Sequence, residues 1–345
     1  MFSAKILDSL EATLRQLSMV PMMRKSLTCL ALGLLAFFLA PANRAIAVES
    51  GYGFYLLGST TTNAGILPPP GTYVIDYNYF YSGSTDFAFD VAGLILDGGV
   101  QADLYGNVPA PLWVAPGKVL GGNIAFLMLV PIISKDVSAG ASLSLPPPLG
   151  ITLQSNIEDQ ETKFGDIVPG MMLGWHHGNW HFKTHTLVNT PVGFWERGNL
   201  ANAGFNRWAI DNAAAFTWLD PKIGLELSAM AGFTYNWENP TTDYKSGTEF
   251  HLEYAAVYNF SKRFALGVNG YFYDQVTGDT GSGARLGSFK GRVSAIGPVM
   301  NLNFQVHKIP VAANFKYFRD FDVENRLEGD AGYITITMPL SVPGH

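Results

Sequence analysis

The residues in this chain best equipped for chemistry are its histidines and the carboxylates beside them. Glu249, His251 and Glu253 stand at alternate positions, so on a strand all three share one face, where a carboxylate is placed to orient the imidazole for base catalysis. No nucleophile is identifiable, although Ser228, on the preceding stretch, points to the same side. His176 and His181 fall opposite one another across a Gly178-Asn179 turn, with His185 four residues further on. Two facing imidazoles can hold a metal, but no carboxylate or thiol completes a ligand set nearby, so neither a metal nor any other cofactor is expected. The Gly-rich run from Gly278 to Gly283 lacks the lysine and the strand-to-helix setting of a phosphate loop and reads as a flexible connection. No catalytic residue is assigned.

Positioning these side chains falls to a long series of alternating segments. Ile223, Leu225, Leu227, Ala229, Ala231, Phe233, Tyr235 and Trp237 alternate with Glu226, Ser228, Thr234 and Asn236; Phe250 to Phe260 alternate with Glu249, His251, Glu253 and Asn259. The same period of two runs through 72–81, 208–218, 300–307, 311–317 and 334–340. Several of these segments exceed the usual globular strand. An apolar face alternating with a polar one, with aromatics near the segment ends, is the pattern of a closed sheet with lipid outside and water inside.

Composition agrees. Gly 37, Phe 23, Tyr 15 and Trp 7, with only 14% charged residues, favour strands and turns. A net charge of −6 gives no reason to expect a nucleic-acid partner. Near the N-terminus, basic Arg24-Lys25, an apolar run from Ser26 to Ala40 and small residues at Ala45 and Ala47 form a signal peptide with cleavage expected after Ala47. Residues 1–47 are thus an upstream extension and signal, and 48–345 a single barrel domain. The one cysteine, Cys29, lies in the signal, so no disulfide framework is expected. No later run reaches the ~20 apolar residues of a membrane helix.

The turns test this reading, since the apolar face must keep its side through every hairpin. A two-residue Gly178-Asn179 turn pairs Trp175 with Phe182 and keeps both outward. Short turns alternate with long polar connections at 191–207, 238–246, 274–290 and 319–330, and long loops belong to the external side of a bacterial outer-membrane barrel. Strands are expected near 310–319, 291–306, 264–275, 248–260, 223–237, 208–218, 180–189 and 166–176, with candidates at 138–145, 118–130, 86–105 and 72–81. Pro146 to Phe164 reads as another external loop. The expected fold is all-β, a transmembrane antiparallel up-and-down barrel of about twelve strands. Fourteen result if 51–57 joins the wall.

Pro68-Pro69-Pro70-Gly71-Thr72-Tyr73, Gly165-Asp166, Asn189-Thr190-Pro191-Val192-Gly193, Thr242-Asp243-Tyr244-Lys245-Ser246-Gly247, Gly270-Tyr271-Phe272-Tyr273-Asp274-Gln275 and Gly291-Arg292 followed by Gly297-Pro298 together resemble the phenol meta-degradation pathway family of outer-membrane transporters. The resemblance implies a channel associated with aromatic or hydrocarbon catabolism, loosely similar to toluene and long-chain fatty-acid transporter barrels. Together with the pattern it predicts a porin-like, non-enzymatic channel in the bacterial outer membrane for passive uptake of small, hydrophobic or aromatic compounds. An outer-membrane hydrolase using the His251 region is the alternative. Expected lumen-lining residues are His176, His181, Lys183, Asp211, Glu226, Glu249, His251, Glu253, Tyr271, Tyr273, Arg292 and Lys316. Among them the acids and bases would set a field across the pore, and Tyr271 with Tyr273 would offer a stacking surface. Expected partners are outer-membrane lipid, a small-molecule solute and the barrel-assembly machinery, although the ending Met338 to His345 lacks the terminal Phe often used in assembly recognition.

Overall fold

The computed structural model describes residues 49–86, 89–91, 94–96, 99–144 and 152–341. The expected cleavage site at Ala45 and Ala47, and the signal before it, lie outside the described residues. Strands β1 (Gly71–Thr85), β4 (Val100–Val119), β5 (Gly122–Leu129), β6 (Ile132–Ser144), β7 (Thr152–Phe164), β8 (Val168–His177), β9 (Trp180–Asn189), β10 (Ala209–Asp220), β11 (Leu225–Asn236), β12 (Glu249–Asn259), β13 (Phe264–Gln275), β14 (Arg292–Val306), β15 (Ile309–Glu324) and β16 (Glu328–Ser341) build one antiparallel sheet. A small hairpin of β2 (Phe89–Val91) and β3 (Leu94–Leu96) sits in the connection after β1. The sheet closes because β1 pairs with β16 on one side and β4 on the other. Closure leaves no lipid-exposed edge with unpaired backbone groups.

Twelve staves make the wall. β5 and β6 form a single stave, since both pair with β4, Leu112 opposing Leu127 and Asn107 opposing Ile132. β7 and β8 form another, pairing with β6 and β5 in turn. The breaks fall side by side. Pro131 has no N–H to give the ladder, and Gly165 bridges the gap by donating its own N–H to the Pro131 carbonyl at 2.9 Å.

In β9–β16 the faces alternate as expected. Phe233, Tyr235, Trp237, Tyr258, Leu266, Ile296 and Tyr317 are exposed on the outer surface, where lipid is their solvent. Trp180, Phe182, Phe216 and Trp218 cluster close to the short turns, and Trp208, Tyr235 and Trp237 close to the long loops, the two levels of an aromatic girdle. Trp175 opposes Phe182 across the Gly178-Asn179 turn.

The N-terminal third departs from the sequence reading. Residues 51–57 do not join the wall, which removes the fourteen-strand alternative. The strand expected at 86–105 lies at 100–119. Pro146 to Phe164, expected as a loop, contains β7, whose Asp159, Glu161 and Lys163 alternate with Glu158, Gln160 and Thr162 in a ladder polar on both faces. A strand wet on both sides shows no period in hydrophobicity, which is why the pattern hid it. The last external connection is also shorter than 319–330, because β15 runs to Glu324 and β16 begins at Glu328. In β1 the aromatic face points inward: Tyr73, Tyr79 and Tyr81 pack in the interior, while Asp76 and Asn78 face out. There they bond one another at 2.9 Å and take donors from Asn107 and Tyr105.

Candidate functional site: a filled lumen with an apolar cavity

Residues 49–70 run the length of the lumen. At the external end a short 3-10 turn, Glu49–Gly51, is tied to the loop after β11. The Glu49 carboxylate accepts Asn239 Nδ2 at 3.0 Å and Thr242 Oγ1 at 2.8 Å, with Arg207 Nη1 at 3.6 Å. At the opposite end Leu67 packs beside Gly174 of β8, and β1 begins at Gly71. Between Tyr52 and Pro70 the segment has no regular secondary structure. Its backbone groups therefore need partners from elsewhere, since an unpaired buried N–H or C=O is costly.

The inward side chains of β10–β16 supply those partners. Glu253 receives the Gly58 and Thr60 N–H groups at 2.8 Å each, one on each carboxylate oxygen. Glu226 receives Asn63 N–H at 2.6 Å, and Thr217 Oγ1 receives Gly65 N–H at 2.9 Å. Lys316 Nζ donates to the Gly58 and Ser59 carbonyls at 2.8 Å each, and the Tyr333 hydroxyl donates to the Leu57 carbonyl. Two glycines fit the segment to this wall. Gly58 has φ +84°, and a Cβ there would lie 2.7 Å from the Phe318 ring; a Cβ on Gly65 would lie 2.4 Å from the His181 carbonyl oxygen.

The residues expected to line the lumen divide accordingly. Lys183, Asp211, Glu226, Glu249, His251, Glu253, Tyr271, Tyr273 and Lys316 are all buried, at 8% exposure or less. The interior that the alternation suggested would be wet is largely filled by chain, so the charges there act on the segment and on each other. Asp211 accepts His185 Nε2 and His251 Nε2 at 2.9 Å and Thr234 Oγ1 at 2.7 Å. Tyr55 of the segment stacks on His251 with ring centroids 3.9 Å apart. His176 and His181 meet at 2.7 Å between their Nδ1 atoms at the short-turn end, where His176 is exposed. Arg292 stands apart from the set: its outward parity and half-exposed side chain place it on the external rim, with Glu324 at 3.0 Å and Asp322 at 3.5 Å. Strand register decides this, because the buried inward positions of β14 are Val293, Ala295 and Val299.

The catalytic geometry weighed for His251 is absent. Neither Glu249 nor Glu253 orients the imidazole; Asp211, from β10, does. Ser228 Oγ bonds Glu226 at 2.8 Å and Thr217 at 2.8 Å, and makes no bond to His251. Among the described residues no group of three His, Cys, Asp or Glu is placed to hold a metal ion.

On its other flank the segment meets apolar wall. Tyr55, Ala64 and Leu67 pack with Leu112, Val114, Ala125 and Leu127 of β4 and β5. Above that contact, in the external half, a cavity of about 190 Å³ is left between the segment and the wall. Tyr52, Phe54 and Leu57 border it from the segment; Tyr81, Val100, Leu104, Val137 and Tyr271 from the strands; Leu200 and Leu327 from the loops. It abuts the paired breaks at Pro131 and Asp166. Tyr271 presents its ring there with its hydroxyl bonded to Asp320 at 2.6 Å, whereas the Tyr273 ring is covered by the Arg326 guanidinium at 4.1 Å. Sequence reasoning did not single out Tyr55, Lys135, Asp320 or Arg326.

A closed twelve-stave wall, apolar outside, girdled by aromatics and stoppered by its own N-terminal segment, defines an outer-membrane β-barrel. Residues 78–336 match the family described as "Putative MetA-pathway of phenol degradation", and the chain belongs to that family. The fold is similar to that of the COG4313 outer membrane channel from Pseudomonas putida F1, at a TM-score of 0.61 and 15% identity, covering 82% of this chain and 99% of that one. A Pseudomonas aeruginosa FadL homologue aligns at a TM-score of 0.42 and 9% identity, over 86% of this chain and 99% of the other. The sequence matches no curated protein.

Proposed function

We propose that the chain is a passive conduit that takes up small, largely apolar or single-ring aromatic compounds across the outer membrane. The observation that carries this reading is the cavity beside Tyr52, Phe54 and Tyr271. At about 190 Å³ it exceeds the ~150 Å³ apolar cavity that accommodates benzene in an engineered protein. Solute enters from the external mouth, rests among the aromatic and aliphatic side chains, and leaves when the N-terminal segment shifts. The segment is suited to that, being held by discrete polar contacts and not by a continuous ladder. The family's description, which names phenol degradation, agrees with an aromatic solute. Transport and not hydrolysis is supported by the engagement of Ser228 with Glu226 and Thr217, which leaves His251 without a nucleophile to activate.

Equilibrium binding of benzyl alcohol to the purified, detergent-folded barrel tests the reading. Saturable binding that is lost in Ala102→Trp, a residue bordering the cavity, is expected. Binding unchanged by that substitution would place the solute elsewhere.

A further inference from the structure

The cavity is apolar except at a few points, and these points are unequal. Two carboxylates border it, Asp166 and Asp320. Asp166 is saturated by Asn189 Nδ2 at 2.9 Å, Gly193 N–H at 2.8 Å and Phe205 N–H at 2.8 Å. Asp320 accepts the Tyr271 hydroxyl at 2.6 Å and Gly329 N–H at 3.1 Å. Two cations also border it, Lys135 and Arg326, exposed by only 5% and 8%. Among the described residues neither has a carboxylate in hydrogen-bond contact. Lys135 Nζ donates to the Asn202 backbone carbonyl and lies 4.1 Å from the centroid of the Tyr52 ring. Arg326 rests on the face of Tyr273, and its Nη1 is buried with no hydrogen-bond acceptor. Glu249 and Asp320 are close enough to act on the Arg326 charge, but both are bonded to other donors.

A buried guanidinium with one nitrogen lacking an acceptor is an unfavourable arrangement that a bound anion would relieve. Arginine's planar fork matches a carboxylate, and the surrounding apolar wall strengthens the contact by excluding water. Resting on the conduit reading and deepening it, we propose that among small apolar compounds the cavity favours those bearing one carboxylate. The acid group lies against Arg326, with Lys135 as the second positive charge, and the ring or short chain lies among Tyr81, Val100, Leu104 and Leu327.

Three probes of similar shape and different charge test this on the folded barrel: benzoate, benzyl alcohol and benzylamine. Benzoate is expected to bind most tightly and benzylamine least. Arg326→Gln is expected to weaken benzoate by about ten- to a hundredfold, the range for a charge-assisted hydrogen bond, and to weaken benzyl alcohol by less, so that the preference for benzoate is lost. Arg326→Lys, which keeps the charge and loses the fork, is expected to fall between, and the mobility shift on boiling establishes that each variant is folded. Benzoate binding no tighter than benzyl alcohol, or unaffected by Arg326→Gln in a folded barrel, overturns the inference alone. Failure of all three probes to bind overturns the conduit reading with it.

Discussion

Replacing Glu253 isolates the hold of the lumen on its stopper. The side chain is fully buried and takes the N–H of Gly58 on one oxygen and of Thr60 on the other, both at 2.8 Å. Glu253→Gln keeps one acceptor and turns the second into a donor facing a donor. Hydrogen bonds to charged groups contribute about 1.5–3 kcal/mol each, so this change should favour release of the segment by roughly ten- to a hundredfold. Glu253→Ala orphans both N–H groups, and the two effects together amount to about 3–6 kcal/mol. The wall should survive, because the ladder that pairs Glu253 with Met230 and Tyr271 is made of backbone. Single-channel recording in planar bilayers reads the outcome directly: rare openings in the wild type, frequent ones in Glu253→Gln and mostly open current in Glu253→Ala. Cleavage within 52–66 by an externally added protease should rise in the same order. A folded Glu253→Ala barrel with wild-type current and protease resistance would refute the reasoning.

Gly65→Val should also expel the segment, since even a Cβ would sit 2.4 Å from the His181 carbonyl oxygen and 2.6 Å from the Thr217 nitrogen; raised conductance of a correctly folded barrel checks it. Asp211→Ala leaves two buried imidazoles and the Thr234 hydroxyl without their acceptor. At about 1–3 kcal/mol for each stranded group, the temperature at which the barrel loses its unboiled gel mobility should fall. Leu252→Arg places a charge on the outward face about a third of the way along β12, and should reduce folding stability in bilayers by up to about 2–4 kcal/mol, the cost of a cation at the midplane. Glu253→Arg, on the opposite face of the same strand, should instead disturb the segment and its conductance.

What the sequence disclosed follows from what each face touches. In β9–β16 lipid lies outside and polar groups inside, so Phe233 against Thr234, or Leu252 against Glu253, writes the strand into the residue order. Along 108–114 of β4 and 124–129 of β5 both faces are apolar, because the inward Leu112, Val114, Ala125 and Leu127 pack on Tyr55, Ala64 and Leu67. The period of two disappears there. β7 fails for the reverse reason, being polar on both sides. The stopper itself was the hardest part to see. Gly51 to Leu57 has a strand's composition, and the bonds that hold the stopper in the lumen, made by Leu57, Gly58 and Asn63 with Tyr333, Glu253, Lys316 and Glu226, join residues between 163 and 276 apart in sequence. For the same reason the inward acids and bases were recognisable as a set, while their common task was not. Arg326 lies in the last external turn, where nothing in the sequence indicates that its side chain folds inward over Tyr273.

The central claim, that solute passes by way of the cavity between the segment and the wall, is tested most directly by initial uptake of labelled toluene into whole cells whose outer membrane carries the wild type, Ala102→Trp or neither. The account predicts rapid uptake with the wild type, and uptake with Ala102→Trp that falls to the rate of cells lacking the protein. Equal rates in all three would contradict it.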